Sequence, residues 1–122
     1  RVYMPTDGVG PVMELVKQAG WSADPPALYY FRTHEGDEVD LVLERRGGAL
    51  VGIEVKSAAT VSAADFKGLR ALAAIAGRRF QRGIVLYTGA EIVPFGDGLV
   101  ALPVEALWRW SDQRPARKKA TP

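Results

Sequence analysis

The chain has 122 residues, of which 48% are hydrophobic and 25% charged, and this balance predicts a single soluble globular domain. It has no cysteine, which excludes disulfides and thiolate metal sites. The first residues do not form a signal peptide, and no apolar run approaches the roughly 20 residues that span a bilayer. We therefore expect a cytoplasmic protein away from membranes. The net charge is +2 because residues 113–122 carry four bases and no acid. The rest of the chain carries 12 bases and 14 acids, a charge of −2, which excludes a broadly cationic domain surface.

The first elements in chain order are a helix and a strand. Pro11 suits the first turn of a helix, apolar residues follow it at helical intervals, and Gly20 can end it. After the break at Asp24-Pro25-Pro26, the aromatic run Leu28–Phe31 predicts a strand, and a turn follows at residues 34–37. His34, the one histidine, begins this turn, and we expect it to be solvated.

A β-hairpin comes next. Residues 38–44 and 50–56 alternate between apolar and polar side chains, and Arg46-Gly47-Gly48 between them is a turn signal. The two strands therefore predict an antiparallel pair.

The second half of the chain predicts a helix, buried strands and a basic tail. A helix begins at Ser62, with Asp65 three residues on as an approximate capping box. Residues 83–87 are almost all apolar, which is typical of a strand buried on both faces. Residues 91–102 contain two strand-like pieces, and Pro103 opens a short helix. We interpret residues 9–110 as one α/β domain, a mixed sheet flanked by helices, and residues 111–122 as a disordered tail.

The hairpin has a register in which its two acidic residues meet. If its loop is centred on Gly47, Asp40 lies beside Glu54 on one surface of the sheet, and Lys56 shares that surface because strand side chains alternate. We expect Gly52 to leave open space beside the pair, where a backbone could approach. The apolar residues then pair on the opposite surface: Val39 with Val55, Leu41 with Ile53, and Leu43 with Val51.

Two adjacent carboxylates repel each other unless something neutralises them. A divalent cation bridges such a pair well, and Mg²⁺ or Mn²⁺ prefers carboxylate and phosphate oxygens. Lys56 could then steer or deprotonate an attacking water while the metal stabilises charge on a phosphate. The alternative is two acids and a lysine on a solvated sheet face, an arrangement that also arises by chance.

Several stretches carry a resemblance to a known family. From about Val12 to Trp108 the chain resembles the C-terminal domain of unknown function (DUF 4143) found behind bacterial and archaeal P-loop ATPases. The matching stretches are Glu14-Leu15-Val16-Lys17-Gln18, Tyr30-Phe31-Arg32-Thr33, Glu38-Val39-Asp40-Leu41-Val42-Leu43-Glu44, Gly52-Ile53-Glu54-Val55-Lys56, Asp65-Phe66-Lys67-Gly68-Leu69-Arg70-Ala71-Leu72 and Val93-Pro94-Phe95-Gly96-Asp97.

The resemblance implies a restriction-endonuclease-like fold of the PD-(D/E)xK nucleases. It makes Asp40, Glu54 and Lys56 the catalytic-type positions, with Lys67 or Arg70 facing nucleic acid. The family usually has a glutamate near residues 9–12, where this chain has no acid, so the role of a first-helix metal ligand falls to Glu14 or to no residue. No phosphate-binding loop of the G-x-x-x-x-G-K-[ST] type is present, so any ATPase partner domain lies outside these residues.

Two functions from different classes remain open. The first is a metal-dependent nuclease-like module that cleaves DNA, or a degenerate descendant that binds it. In that case the tail bases, among them Arg117, Lys118 and Lys119, would contact phosphates. The second is a non-catalytic interaction or regulatory module that serves a P-loop ATPase.

Overall fold

The computed structural model describes residues 26–105, which fold into a mixed six-stranded sheet with one α-helix against it. The helix predicted from Pro11 and the basic tail lie outside the described residues, as do both limits of the predicted domain. The elements are β1 (Ala27–Arg32), β2 (Glu38–Glu44), β3 (Leu50–Val55), a 3-10 helix (Ala63–Phe66), α1 (Lys67–Ala76), a 3-10 helix (Gly77–Arg79), β4 (Phe80–Tyr87), β5 (Val93–Gly96) and β6 (Leu99–Pro103).

The sheet combines an antiparallel half with a parallel centre. Its strand order is β1-β2-β3-β4-β6-β5. β1, β2 and β3 form an antiparallel meander, whereas β3 pairs parallel to β4 and β4 parallel to β6. A parallel pair needs a crossover, which α1 supplies between β3 and β4. The prediction of an α/β mixed sheet is thus confirmed.

Most predicted elements are confirmed, with shifts at their ends. β2 has the predicted bounds, and β5 and β6 flank the turn at residues 97–98. β4 begins at Phe80 rather than Gly83, and Pro103 ends β6 while Val104 is already helical. No helix within residues 26–105 is long and apolar enough to cross a membrane.

Each face of the sheet carries its own buried cluster. The helix-side cluster packs under α1 and contains Val39, Val42, Leu50, Phe66, Leu69, Leu72, Val85, Tyr87, Leu99 and Ala101. The far-side cluster contains Leu41, Leu43, Val51, Ile53 and Leu86. Both faces are therefore apolar, as expected for a sheet with parallel strands at its centre.

A β-bulge in β2 corrects one predicted pairing. Between the paired positions Tyr29–Val42 and Phe31–Val39, Asp40 and Leu41 of β2 stand opposite Tyr30 alone. The extra residue moves Val39 into the helix-side cluster, although simple alternation predicted it on the surface of Leu41. Val55, predicted to face Val39 on that surface, is 37% exposed.

Candidate functional site

The predicted hairpin register is present at the centre of the β2–β3 pair. Leu41 pairs with Ile53, Val42 with Gly52 and Leu43 with Val51, which are the partners predicted for a loop centred on Gly47. Beyond Leu41 the bulge changes the contacts: the Asp40 carboxylate accepts a hydrogen bond of 3.0 Å from the backbone N–H of Val55. Asp40 is therefore fixed against the end of β3 by its own side chain.

Asp40 and Glu54 lie together, as the register predicts. Their side chains are within hydrogen-bonding reach, and the backbone N–H of Asp40 also donates to the Glu54 carboxylate. Burial, and then repulsion from Asp40, raises the pKa of Glu54 to about 8. A carboxyl group that stays protonated at neutral pH can donate a hydrogen bond to its neighbour, so the pair is stable without a cation.

Lys56 pairs with Asp65, an acid that the sequence analysis did not assign to the site. Its Nζ lies 2.6 Å from Oδ2 of Asp65, in the 3-10 helix that leads into α1. The same Oδ2 accepts the backbone N–H of Ser62 at 2.8 Å, which confirms the predicted capping contact. The hydrogen bonds from Lys56 and Ser62 lower the pKa of Asp65. One carboxylate therefore both caps the helix and orients the lysine.

The start of α1 closes over the acidic pair. A Cβ on Gly68 would collide with the Glu38 carbonyl oxygen and lie 3.1 Å from Oε2 of Glu54. Only glycine allows the helix to approach this closely, and the approach shields part of the Glu54 side chain from water.

The expectation of open space at Gly52 is wrong. A Cβ there would meet Cδ2 of Leu69 at 2.6 Å and Cδ2 of Leu72 at 3.1 Å, because α1 packs directly on this part of β3. The surface of β3 at Gly52 is therefore covered by α1.

The other predicted site residues are exposed on α1 or lie outside the described residues. Lys67 and Arg70 are exposed on α1, and Lys67 pairs with Asp37 at 3.2 Å. Phosphate contact by these two bases stays a prediction. His34 is exposed, as expected. The other predicted ligands and contacts lie outside the described residues: Glu14, Arg117, Lys118 and Lys119.

Sequence reasoning missed two polar neighbours of the pair. Glu38 adds to the repulsion that raises the pKa of Glu54, and it accepts a hydrogen bond from the hydroxyl of Tyr30, which raises the pKa of Tyr30. Asp65 was recognised only as a cap. The signal that could have found it is position, because the helix after β3 must begin at the same edge of the sheet where β3 ends.

The predicted divalent cation would have two carboxylate ligands in the described part of the chain. No group of three or more His, Cys, Asp or Glu residues that could hold a metal occurs in residues 26–105. Mg²⁺ is often bound by one or two carboxylates, with waters and substrate phosphates completing its shell, and Asp40 and Glu54 supply such a pair. Binding of a cation by this pair stays a prediction.

Comparison with known proteins gives one result. The model of a protein family described as a domain of unknown function, DUF4143, matches residues 12–107. The chain belongs to the DUF4143 family. The matched stretch includes Asp40, Glu54, Lys56 and Asp65, so the whole candidate site lies within this DUF4143 domain. Searches of curated proteins and of solved structures found no significant match.

Proposed function

We propose that this DUF4143 domain is a restriction-endonuclease-like module whose Asp40–Glu54 pair binds Mg²⁺ or Mn²⁺ and acts on DNA phosphodiesters. The observation that carries the proposal is the contact between these carboxyl groups next to the Lys56–Asp65 ion pair. The meander, crossover helix and parallel β4 support it, because they gather all four side chains at one end of the sheet.

Each side chain has a distinct part in this proposal. Asp40 and Glu54 would hold the cation, which when bound would stabilise charge developing on the phosphate. Asp65 presents the Lys56 ammonium at a fixed position, where it can donate a hydrogen bond to a phosphate oxygen. An ammonium already engaged by a carboxylate at 2.6 Å suits the role of a cation better than that of a base for water.

The test is cleavage of plasmid and single-stranded DNA in Mn²⁺ or Mg²⁺. We expect nicking by the full chain that Asp40→Ala and Lys56→Ala both abolish. Glu35→Ala is the control, because Glu35 is an exposed acid of the turn between β1 and β2. Nicking that survives Asp40→Ala would come from a contaminant and would contradict the proposal.

A second function is favoured by a specific observation. Glu54 is neutralised by protonation and Lys56 by Asp65, so the site is already satisfied without metal or phosphate. A non-catalytic module that binds or regulates a P-loop ATPase would keep such a site as structure. Absence of nicking, together with absence of Mn²⁺ binding by calorimetry, would favour this function over the first.

A further inference from the structure

Three connections between elements lie at the end of the sheet opposite the candidate site. They are the β2–β3 loop at residues 45–49, the 3-10 helix Gly77–Arg79 before β4, and the β5–β6 turn at residues 97–98. Glu44 pairs with Leu50 and Leu50 with Phe80, which brings the loop and the 3-10 helix side by side. Gly83 pairs with Leu99, which adds the turn to the same end. The candidate site lies at the other ends of β2 and β3, so the two places are separate surfaces of the domain.

Exposed arginines are concentrated at this end. They are five of the nine bases in residues 26–105, and we call them the arginine cluster: Arg45, Arg46, Arg78, Arg79 and Arg82. Among the described residues, the acids at this end are Glu44 and Asp97, so five arginines and two acids give it a formal charge of +3. Residues 26–105 as a whole contain ten acids and have a net charge of −1. The composition excludes a broadly cationic surface, yet the topology of the sheet creates a local one.

Arg79 joins two of the three connections. Its Nε donates a hydrogen bond of 2.9 Å to the carbonyl oxygen of Gly48 in the β2–β3 loop, and its Nη2 lies 2.9 Å from Oε2 of Glu44. The loop itself is closed by the N–H of Arg45, which donates to the carbonyl oxygen of Ala49 at 2.9 Å. The loop and the 3-10 helix therefore present their arginines from fixed backbone positions.

Two members of the cluster, Arg78 and Arg82, make no ion pair with any residue in 26–105. Both side chains are exposed. The planar fork of a guanidinium group can donate two parallel hydrogen bonds to a phosphate. These two arginines can therefore bind a phosphate without giving up an ion pair within this part of the chain.

We propose that the arginine cluster binds the phosphate backbone of duplex DNA, at a contact separate from the Asp40–Glu54 pair. Several like charges on one exposed surface create a potential that attracts a polyanion, and a backbone of repeated phosphates can engage several arginines at once. Glu54 lies four residues along β3 from Leu50, which is roughly 13 Å at the rise of a β-strand, so one phosphate cannot contact both places. The choice of DNA among polyanions rests on the proposed function, whereas binding is measured apart from cleavage.

The test measures binding of a short labelled duplex by the full chain carrying Asp40→Ala, in EDTA, over a salt series. We expect Arg78→Ala and Arg82→Ala each to reduce the slope of log affinity against log salt by about 0.9, and to weaken binding roughly eightfold at about 0.1 M salt. Arg32→Ala is the matched control, because Arg32 is exposed and carries the same charge but lies at the other end of the sheet, where it pairs with Glu38. It should leave the slope unchanged.

An acid at the same end of the sheet tests the opposite sign. Asp97 has a φ of 53°, a conformation that asparagine also adopts, so Asp97→Asn removes the charge and keeps the turn. We expect it to strengthen duplex binding. Glu91→Gln should not, because Glu91 is an exposed acid beyond the other end of β4. Equal strengthening by both would show a response to net charge and would overturn the cluster.

Three other results would also overturn the cluster as a DNA contact. One is an unchanged salt slope in both Arg78→Ala and Arg82→Ala. Another is an equal loss of slope in Arg32→Ala. The third is loss of binding to polyglutamate while duplex binding is kept, which would indicate an acidic protein partner.

Failure of the cluster and failure of the proposed function give different results. Metal-dependent nicking by the wild-type chain, with a normal salt slope in the cluster variants, would overturn the cluster and keep the chemistry. Cluster-dependent duplex binding without nicking in Mn²⁺ would keep the cluster and overturn the phosphodiesterase.

Discussion

Glu54 carries a proton at neutral pH, because burial and the neighbouring Asp40 raise its pKa to about 8 from an ordinary value of 4.5. Folding therefore takes up a proton between these two pH values. The stabilising effect is complete below about pH 4.5 and disappears as the pH rises to about 8.

We predict that the free energy of unfolding decreases as the pH rises through this window. The slope is at most about 1.4 kcal/mol per pH unit, because one proton is exchanged. Urea denaturation of the metal-free chain at several pH values measures it. Glu54→Gln should flatten the dependence, whereas Glu35→Gln, a change at an exposed turn acid, should not. A flat profile in the wild-type chain would show that Glu54 is ionised.

Asp65 responds to pH in the opposite sense. Its pKa is lowered, first by the hydrogen bond from Lys56 and then by that from Ser62, so it stabilises the fold above its ordinary pKa of 3.8. That stability is lost as the pH falls through the lowered value.

We predict that Asp65→Asn removes the loss of stability at acid pH that Asp65 causes. The pH dependence that Glu54 causes should be unchanged. The amide oxygen of asparagine can still accept the Ser62 N–H, so loss of charge is separated from loss of the cap. Denaturation below pH 4 compares the two proteins. An identical loss of stability at acid pH in both proteins would show that the Lys56–Asp65 pair contributes nothing measurable to the free energy of unfolding.

At the scale of secondary structure, the contact between α1 and β2 depends on Gly68. A methyl group there would collide with the Glu38 carbonyl oxygen, which cannot move without displacing β2. At Gly52 the neighbours are the ends of the Leu69 and Leu72 side chains, which can change rotamer.

We predict that Gly68→Ala destabilises the domain more than Gly52→Ala does. Overpacking typically costs about 1–3 kcal/mol, and we expect Gly68→Ala at the upper end and Gly52→Ala at the lower end. Thermal or urea denaturation of both variants checks the order. The opposite order would mean that the start of α1 can move away from β2, and with it the cover over Glu54.

The hairpin shows how far the sequence could predict the site. Its register followed from alternation, because a slip of one residue would have exposed an entire apolar face. The bulge at Asp40 and Leu41 could not be predicted, since neither residue type signals one and the bulge depends on pairing with β1. Open space at Gly52 was predicted wrongly because the position of α1 is set by packing between elements distant in the sequence. The place of Asp65 in the site, by contrast, could have been predicted, because the helix that follows β3 must begin at the edge of the sheet where β3 ends.

At the scale of the whole molecule, acids and bases are concentrated in different segments of the chain. The candidate site contains Glu38, Asp40, Glu54 and Asp65, whereas bases lie along α1 and, by sequence, in residues 113–122. DNA would therefore be attracted by the bases and repelled at the carboxylates until a cation neutralises them.

We predict that truncation after Asp112 weakens duplex binding and flattens its salt dependence. Loss of four phosphate contacts would reduce the slope by about 3.6. A chain of unchanged length, with Arg114, Arg117, Lys118 and Lys119 replaced by serine, controls for loss of the segment itself. If the serine chain binds like the wild-type chain, the tail bases do not contact DNA.

The strand order also bears on how the chain folds. Residues 45–49 join β2 to β3, so the hairpin closes a short loop, whereas pairing of β3 with β4 must close residues 56–79. Local hairpins form within microseconds, and longer closures are slower. We therefore predict that Asp40 and Glu54 meet before α1 covers them. A hairpin that brings two carboxylates together in water forms against their repulsion. Their protonation should accordingly speed folding, while changes at Gly68 should chiefly speed unfolding.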